Sequence, residues 1–156
     1  KSKKTRIRSS IMDVGTAIFY ILSNDATVAP LVRQGNSPSY TYRIMPAVMA
    51  QNQSAPFITY QRISTSPNET KDGPSELDAI RFQLNIVAAY GKYGDCQTLA
   101  EATRVALDRV TPATYSGINV HCVDFASQRD DFTIDAKLEG VHMITQDYIF
   151  WIYRTG

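Results

Sequence analysis

Apolar and polar positions change period along this chain, and the changes divide it into helices and strands. In "SSIMDVGTAIFYILSND", residues Ile11, Val14, Ile18, Ile21 and Leu22 recur at the spacing of one helix face. Ser10, with Asp13 three residues on, forms a capping box with a shorter acid and predicts where that helix begins. Asn24 and Asp25 end it and are placed to cap a short helical turn over Val28 to Val32, which Pro30 keeps short.

From Tyr40 the period becomes two. "YTYRIMPAV" is β-prone but interrupted by Pro46, which predicts a short strand or a sheet edge. "PFITYQRIS" alternates, with Ile58, Tyr60 and Arg62 on one face and Phe57, Thr59, Gln61 and Ile63 on the other. "IRFQLNIVAAY" alternates more cleanly. Ile80, Phe82, Leu84, Ile86 and Ala88 face inward while Arg81, Gln83 and Asn85 face out, the mark of a sheet with one wet face. Between these two runs lies "TSPNETKDGPSEL", which holds no large apolar side chain before Leu77. Two residues suffice to turn a hairpin, and Pro67, Gly73 and Pro74 interrupt pairing, so a long, mobile polar loop is expected here. Its Asn68, Glu69, Lys71 and Asp72 have no core to enter and are candidates for contact with a partner.

"GDCQTLAEATRVALDRVTP" is the clearest helix. Asp95 is the expected N-cap, Cys96, Leu99, Ala100, Thr103, Leu107 and Val110 form the apolar stripe, and Pro112 stops it. "INVHCVDFAS" and "VHMITQDYIFWIY" read as two closing strands joined through "QRDDFTIDAKLEG". The last strand is apolar on both faces toward its end, with Tyr148, Phe150 and Ile152 on one and Ile149, Trp151 and Tyr153 on the other. A neighbouring subunit is the expected cover, with Tyr148, Phe150, Trp151 and Tyr153 as interface candidates. The order of helix, strands, helix, strands predicts an α+β fold. It is a mostly antiparallel β-sheet with helices packed on one face and one long hairpin loop.

Charge and composition then narrow the setting. The 156 residues fit one domain, and a formal net charge of +1 supplies no whole-molecule field for nucleic acid or anionic lipid. The charge is uneven, however: "KSKKTRIR" packs five basic residues into eight. Residues 1–11 are therefore expected to be a flexible basic arm, with DNA or an acidic surface as its alternative partner, and residues 12–156 a single domain. The chain starts at Lys1, so its native start is expected to be trimmed or to lie upstream. No apolar run approaches the ~20 residues of a membrane span. The stretch from Ile11 to Leu22 contains Asp13 and no cleavage signature, so no signal peptide is expected. Cys96 and Cys122 make no disulfide framework, which fits a reducing, cytosolic compartment.

The search for chemistry yields little. His121 and Cys122 are adjacent in a strand and point to opposite faces, so they do not chelate one metal. A hairpin of the last two strands would bring His121 nearer Asp147 than His142, and this pair is the one hydrolase-like arrangement, without nucleophile or oxyanion hole. Cys96 sits near a helix start that can lower a thiol pKa, but on the inner helix face and without a partner. Asp130, Asp131, Asp135 and Glu139 lack the spacing of a calcium loop. Phosphate loops, CxxC pairs and a GxSxG elbow are missing. No catalytic residue, metal site or cofactor is expected.

The order and texture of "MDVGTAIFYILSNDATVAPLV", "YRIMPAVMAQNQSAPFITYQRIS" and "CQTLAEATRVALDRV", followed by a β-rich C-terminus, resemble the tail-completion (tail terminator) proteins of long-tailed bacteriophages. The resemblance runs from about Met12 to Ile152, leaving out the basic arm. It implies a small α+β protein that assembles as a ring, typically a hexamer. Such a ring closes the head-proximal end of the tail tube and joins it to the head connector or stopper protein. It also implies a location in the virion neck, with the host cytoplasm as the place of assembly, no membrane, and DNA met only as it passes through the lumen. On that reading Asn68, Glu69, Lys71 and Asp72 meet the tail tube. A head–tail stopper component is the alternative within this class, and a small hydrolase using His121 and Asp147 or a DNA-binding module using the arm are the alternatives outside it.

Overall fold

The computed structural model describes residues 14–47, 55–70, 73–89, 91–134 and 140–153, with backbone alone at 67–70, 73–76 and 132–134. Helix α1 (Val14–Ser23) is followed by α2 (Val28–Val32), the two-residue strands β1 (Arg33–Gln34) and β2 (Thr41–Tyr42), and β3 (Ile44–Pro46). Strands β4 (Phe57–Thr70) and β5 (Gly73–Ala89) form the first long hairpin, α3 (Tyr93–Asp108) crosses over, and β6 (Ala113–Tyr115), β7 (Ile118–Ile134) and β8 (Gly140–Tyr153) complete the fold. One six-stranded sheet has the order β3-β4-β5-β8-β7-β6, and all its pairings are antiparallel except β3 with β4. The α+β architecture expected from the pattern is the one observed.

Helical periodicity explains α1. Val14, Ala17, Ile18 and Leu22 are its buried stripe, and they pack on the sheet's inner face with Ile58, Phe82 and Phe150 in one core. Each such side chain contributes roughly 1.5–3 kcal/mol when fully buried. Gly15 lets α1 approach the sheet closely: a Cβ there would lie 2.4 Å from Tyr60 Cε1. The expected capping residues Ser10 and Asp13 lie outside the described residues. Asp25 does cap the next turn, its Oδ1 accepting the Thr27 and Val28 N–H groups at 2.9 and 3.0 Å. Inward residues Ile80, Phe82, Leu84, Ile86 and Ala88 of β5 are all buried, as alternation predicts.

The start of α3 differs from expectation. Lys92, not Asp95, occupies the cap, and Asp95 lies within the first turn, where its charge favours the positive helix end. The Tyr93 hydroxyl hydrogen-bonds Asp130 across on β7, drawing the first turn toward the sheet. Buried Ala102 and Ala106 widen the stripe beyond the predicted positions, because α3 packs against β5, β7 and β8 together.

The two long connections are the larger differences. Residues 65–70 and 73–77 are strand, paired from Thr65↔Ile80 to Thr70↔Gly73. The expected long polar loop is thus a paired hairpin. Pro67 stands at a register shift that ends at Glu69, and Pro74 pairs opposite Glu69. Likewise Gln128–Ile134, expected as connection, continues β7 and pairs with β8 as far as Ile134↔Gly140.

Candidate assembly surface

Four surfaces compete for the functional role: the sheet's outer face, the hairpin tip, the sheet edges and a groove on the helix side. The outer face carries the residues of β5, β7 and β8 that point away from α3. Asp147 accepts from Arg81 at 3.3 Å and from the Ser127 hydroxyl at 3.1 Å, which links three strands. Thr145 donates to Asn85 at 3.0 Å, Trp151 Nε1 donates to Asp124 at 2.8 Å, and the Tyr153 hydroxyl lies 3.1 Å from His121 Nδ1 with the two rings edge to face. Cross-strand polar pairs of this kind stabilise the pairing of the strands that carry them.

That geometry separates His121 from Asp147. Asp147 lies opposite Ser127, while His121 sits at the register shift beside Val120↔Ile152, toward the other end of β8. The five positions between Asp147 and Ile152 amount to about 16 Å of strand. The hydrolase-like pair is not assembled; each partner is committed to a different neighbour. Neither thiol is activated. Burial, reinforced by Asp130, pushes Cys96 up to about 11, and its Sγ donates to the Ile86 carbonyl at 3.3 Å. Burial and then the Asp124 charge push Cys122 upward as well.

The predicted interface residues divide between two environments. Tyr148 and Phe150 are fully buried under the chain's own helices, Tyr148 against Phe125 and Phe150 against Phe82, so they are core and not available to a partner. Trp151 and Tyr153 lie on the outer face, half-buried. The two-faced last strand that suggested a subunit boundary is explained on one face by α1 and α3. Of the predicted contact residues, Asn68 and Glu69 have their backbone in β4 near the hairpin tip, whereas Lys71 and Asp72 lie outside the described residues. The last described pair between β5 and β8 is Leu77↔Tyr153, so residues 73–76 of the hairpin extend past the described end of β8.

On the helix side, a groove of about 550 Å³ runs between the α1–α2 turn and α3, floored by Ala102 and Val105 and rimmed by Asp25, Glu101 and Arg109. The Asp25 carboxylate in its rim is already engaged by backbone N–H groups. Among the described residues no group of three or more His, Cys, Asp or Glu is placed to hold a metal.

The model of the tail completion protein gp17 family matches residues 16–153, nearly the whole chain. The chain belongs to that family. Its inner sheet face, which holds Tyr148 and Phe150, is occupied by its own helices. Among solved structures, a chain of the "Virion of native gene transfer agent (GTA) particle" has the same fold at a TM-score of 0.65, with 16% identity over 90% of this chain and 94% of that one. No match was found among curated proteins.

The short edge strand expected at Pro46 is β3, but sequence reasoning missed that long parts of β4 and β7 are edges as well. β3 covers only Ile58–Tyr60 of β4, and β6 only Ile118–Val120 of β7. The remaining lengths of both outer strands have no partner strand among the described residues, and Ile63 on the β4 edge is 49% exposed. The available signal was the mixture of Ser, Thr and Gln in "QRISTS", a texture that fits a strand wet on both faces as well as it fits a loop.

Proposed function

We propose that this tail completion protein is a structural component of a phage-like virion, that it forms a ring closing the head-proximal end of the tail tube, and that it joins the tube to the head connector. The observation that carries this reading is the family match across residues 16–153. Support comes from the fold shared with a chain of a gene transfer agent virion, and from a surface that presents a hairpin, open edges among the described residues and half-buried aromatics. The β4–β5 tip contacts the last ring of tube subunits, with Asn68, Glu69, Lys71 and Asp72 as the contacting residues, and Trp151 and Tyr153, on the outer face beside the β7 edge, flank the contact between subunits. No catalytic step is part of this role.

The test adds purified protein to uncapped tails and scores tail ends by electron microscopy. Wild type is expected to cap them as a ring, and a variant with residues 67–74 shortened to Asn-Gly is expected to keep its own assembly and lose capping. Equal capping by the shortened variant removes the tip from the tube contact. Absence of capping by wild type overturns the reading itself.

A further inference from the structure

The four long strands β4, β5, β8 and β7 alternate in direction, each antiparallel to the next. A copy set beside the molecule in the same orientation therefore brings its β4 antiparallel to β7, and the alternation continues without a break. Among the described residues both edges are open over a matching span. Through the chain of partners Gln61↔Gln83↔Asp147↔Ser127, Gln61 stands level with Ser127; through Ser66↔Ala79↔Trp151↔Cys122, Ser66 stands level with Cys122. The window Gln61–Ser66 thus lies at the same height of the sheet as the window Cys122–Ser127, each spanning the ladder positions from Asp147 to Trp151, about 16 Å.

The ends of the two windows are stopped at opposite corners. β3 occupies the β4 edge below Gln61, and β6 occupies the β7 edge at Ile118–Val120, which is level with Pro67. Each window also contains one register shift, at Arg62/Ser64 and at Phe125/Ser127, so each spends one extra residue over the same height and the two remain equal in length. Edge strands that avoid pairing carry lysine, proline or dense charge. These windows, "QRISTS" and "CVDFAS", hold no lysine and no proline, one cation and one anion. All six positions of the first are exposed.

We infer that copies of this chain join edge to edge, the β4 window Gln61–Ser66 of one lying antiparallel to the β7 window Cys122–Ser127 of the next, with β3 and β6 as the stops that set register. The partner is a second copy, because the same molecule presents both edges, matched in height, length and direction. The contact is heterologous: two different surfaces meet, so it closes into a ring when the rotation per copy divides a full turn. This inference rests on the ring proposed above and specifies how its subunits meet.

Native Cys122 provides the probe. Ser66 and Ser64 lie on the outer face with it, opposite Ala79 and Arg81, so Ser66→Cys and Ser64→Cys each place a thiol within one strand pair of Cys122 of the next copy. Disulfides form when Cα atoms come within about 7 Å. After mild copper-phenanthroline oxidation at high protein concentration, at least one of the two variants is expected to give a ladder of dimer, trimer and higher species on a non-reducing gel. Adding Cys122→Ser is expected to abolish it. Light scattering of the same samples separates the failures. Oligomers without a ladder from either variant overturn the edge contact and leave the ring reading standing. Product that stops at dimer and survives Cys122→Ser indicates isologous pairing and overturns the head-to-tail contact. A monomer at every concentration overturns both.

Discussion

Gln146 is fully buried beneath α3, and its side chain is the hub of the core's polar network. Its Nε2 donates to the Ala100 carbonyl at 3.0 Å and to Gln128 Oε1 at 2.8 Å, and its Oε1 accepts the Tyr148 hydroxyl at 2.8 Å. Replacing it by leucine keeps similar volume and removes all three bonds, with unequal consequences. Ala100, interior to α3, retains the helical bond to its own carbonyl. Gln128 is exposed and turns to water. Tyr148 is 0% exposed and its hydroxyl is left without an acceptor, a loss of about 1–3 kcal/mol. Tyr148→Phe makes the mirror defect, leaving Gln146 Oε1 unpaired for a similar ~1–3 kcal/mol. Removing both partners leaves neither group stranded, so Gln146→Leu/Tyr148→Phe should be less destabilised than the sum of the singles, with a coupling of about 1–2 kcal/mol. Urea unfolding of the four proteins, followed by circular dichroism, measures the cycle. Additive single effects refute the reasoning, since they mean that the two side chains do not depend on each other.

Gly15→Ala should lower the unfolding midpoint although alanine is the better helix former by about 1 kcal/mol, because the new methyl meets Tyr60; a raised midpoint in thermal unfolding contradicts the close approach. The Cys96 thiol, raised by burial to about 11 from its ordinary 9.0, adds stability that is fully present below pH 9 and is lost as pH rises through about 11. Stability measured between pH 9 and 11 should accordingly fall less steeply in Cys96→Ala than in wild type, and equal slopes exclude this thiol as a source. Deleting Lys1–Arg8, which precede the matched residues, should change stability by no more than about 0.5 kcal/mol; a larger loss in urea unfolding shows that the arm is packed.

What the sequence determined by itself was local and periodic. The spacing of Ile18 and Leu22 makes a helix face, the alternation from Ile80 to Ala88 makes a half-buried strand, and Asp25 marks the turn into α2, because each depends on neighbours close along the chain. The identity of the family was legible in the same way, through the order of those segments. Tertiary structure decided the rest. "SPNET" and "RDDFT" carry no apolar alternation to mark them as strands, yet both are strands, because each gains its hydrogen bonds from a partner that folds back beside it. Burial patterns record what a face packs against; they do not record which strand lies at the edge. The fate of Tyr148 and Trp151 was decided likewise. Both are aromatic positions in one strand, and α3 covers the face that holds Tyr148 and leaves Trp151 half-exposed on the other. The separation of His121 from Asp147 follows from pairing register, in which position along β8 is set by hydrogen bonds across the sheet and by the shifts at His121 and Ala126. Those are properties of contact between distant segments, and a linear pattern carries no measure of them.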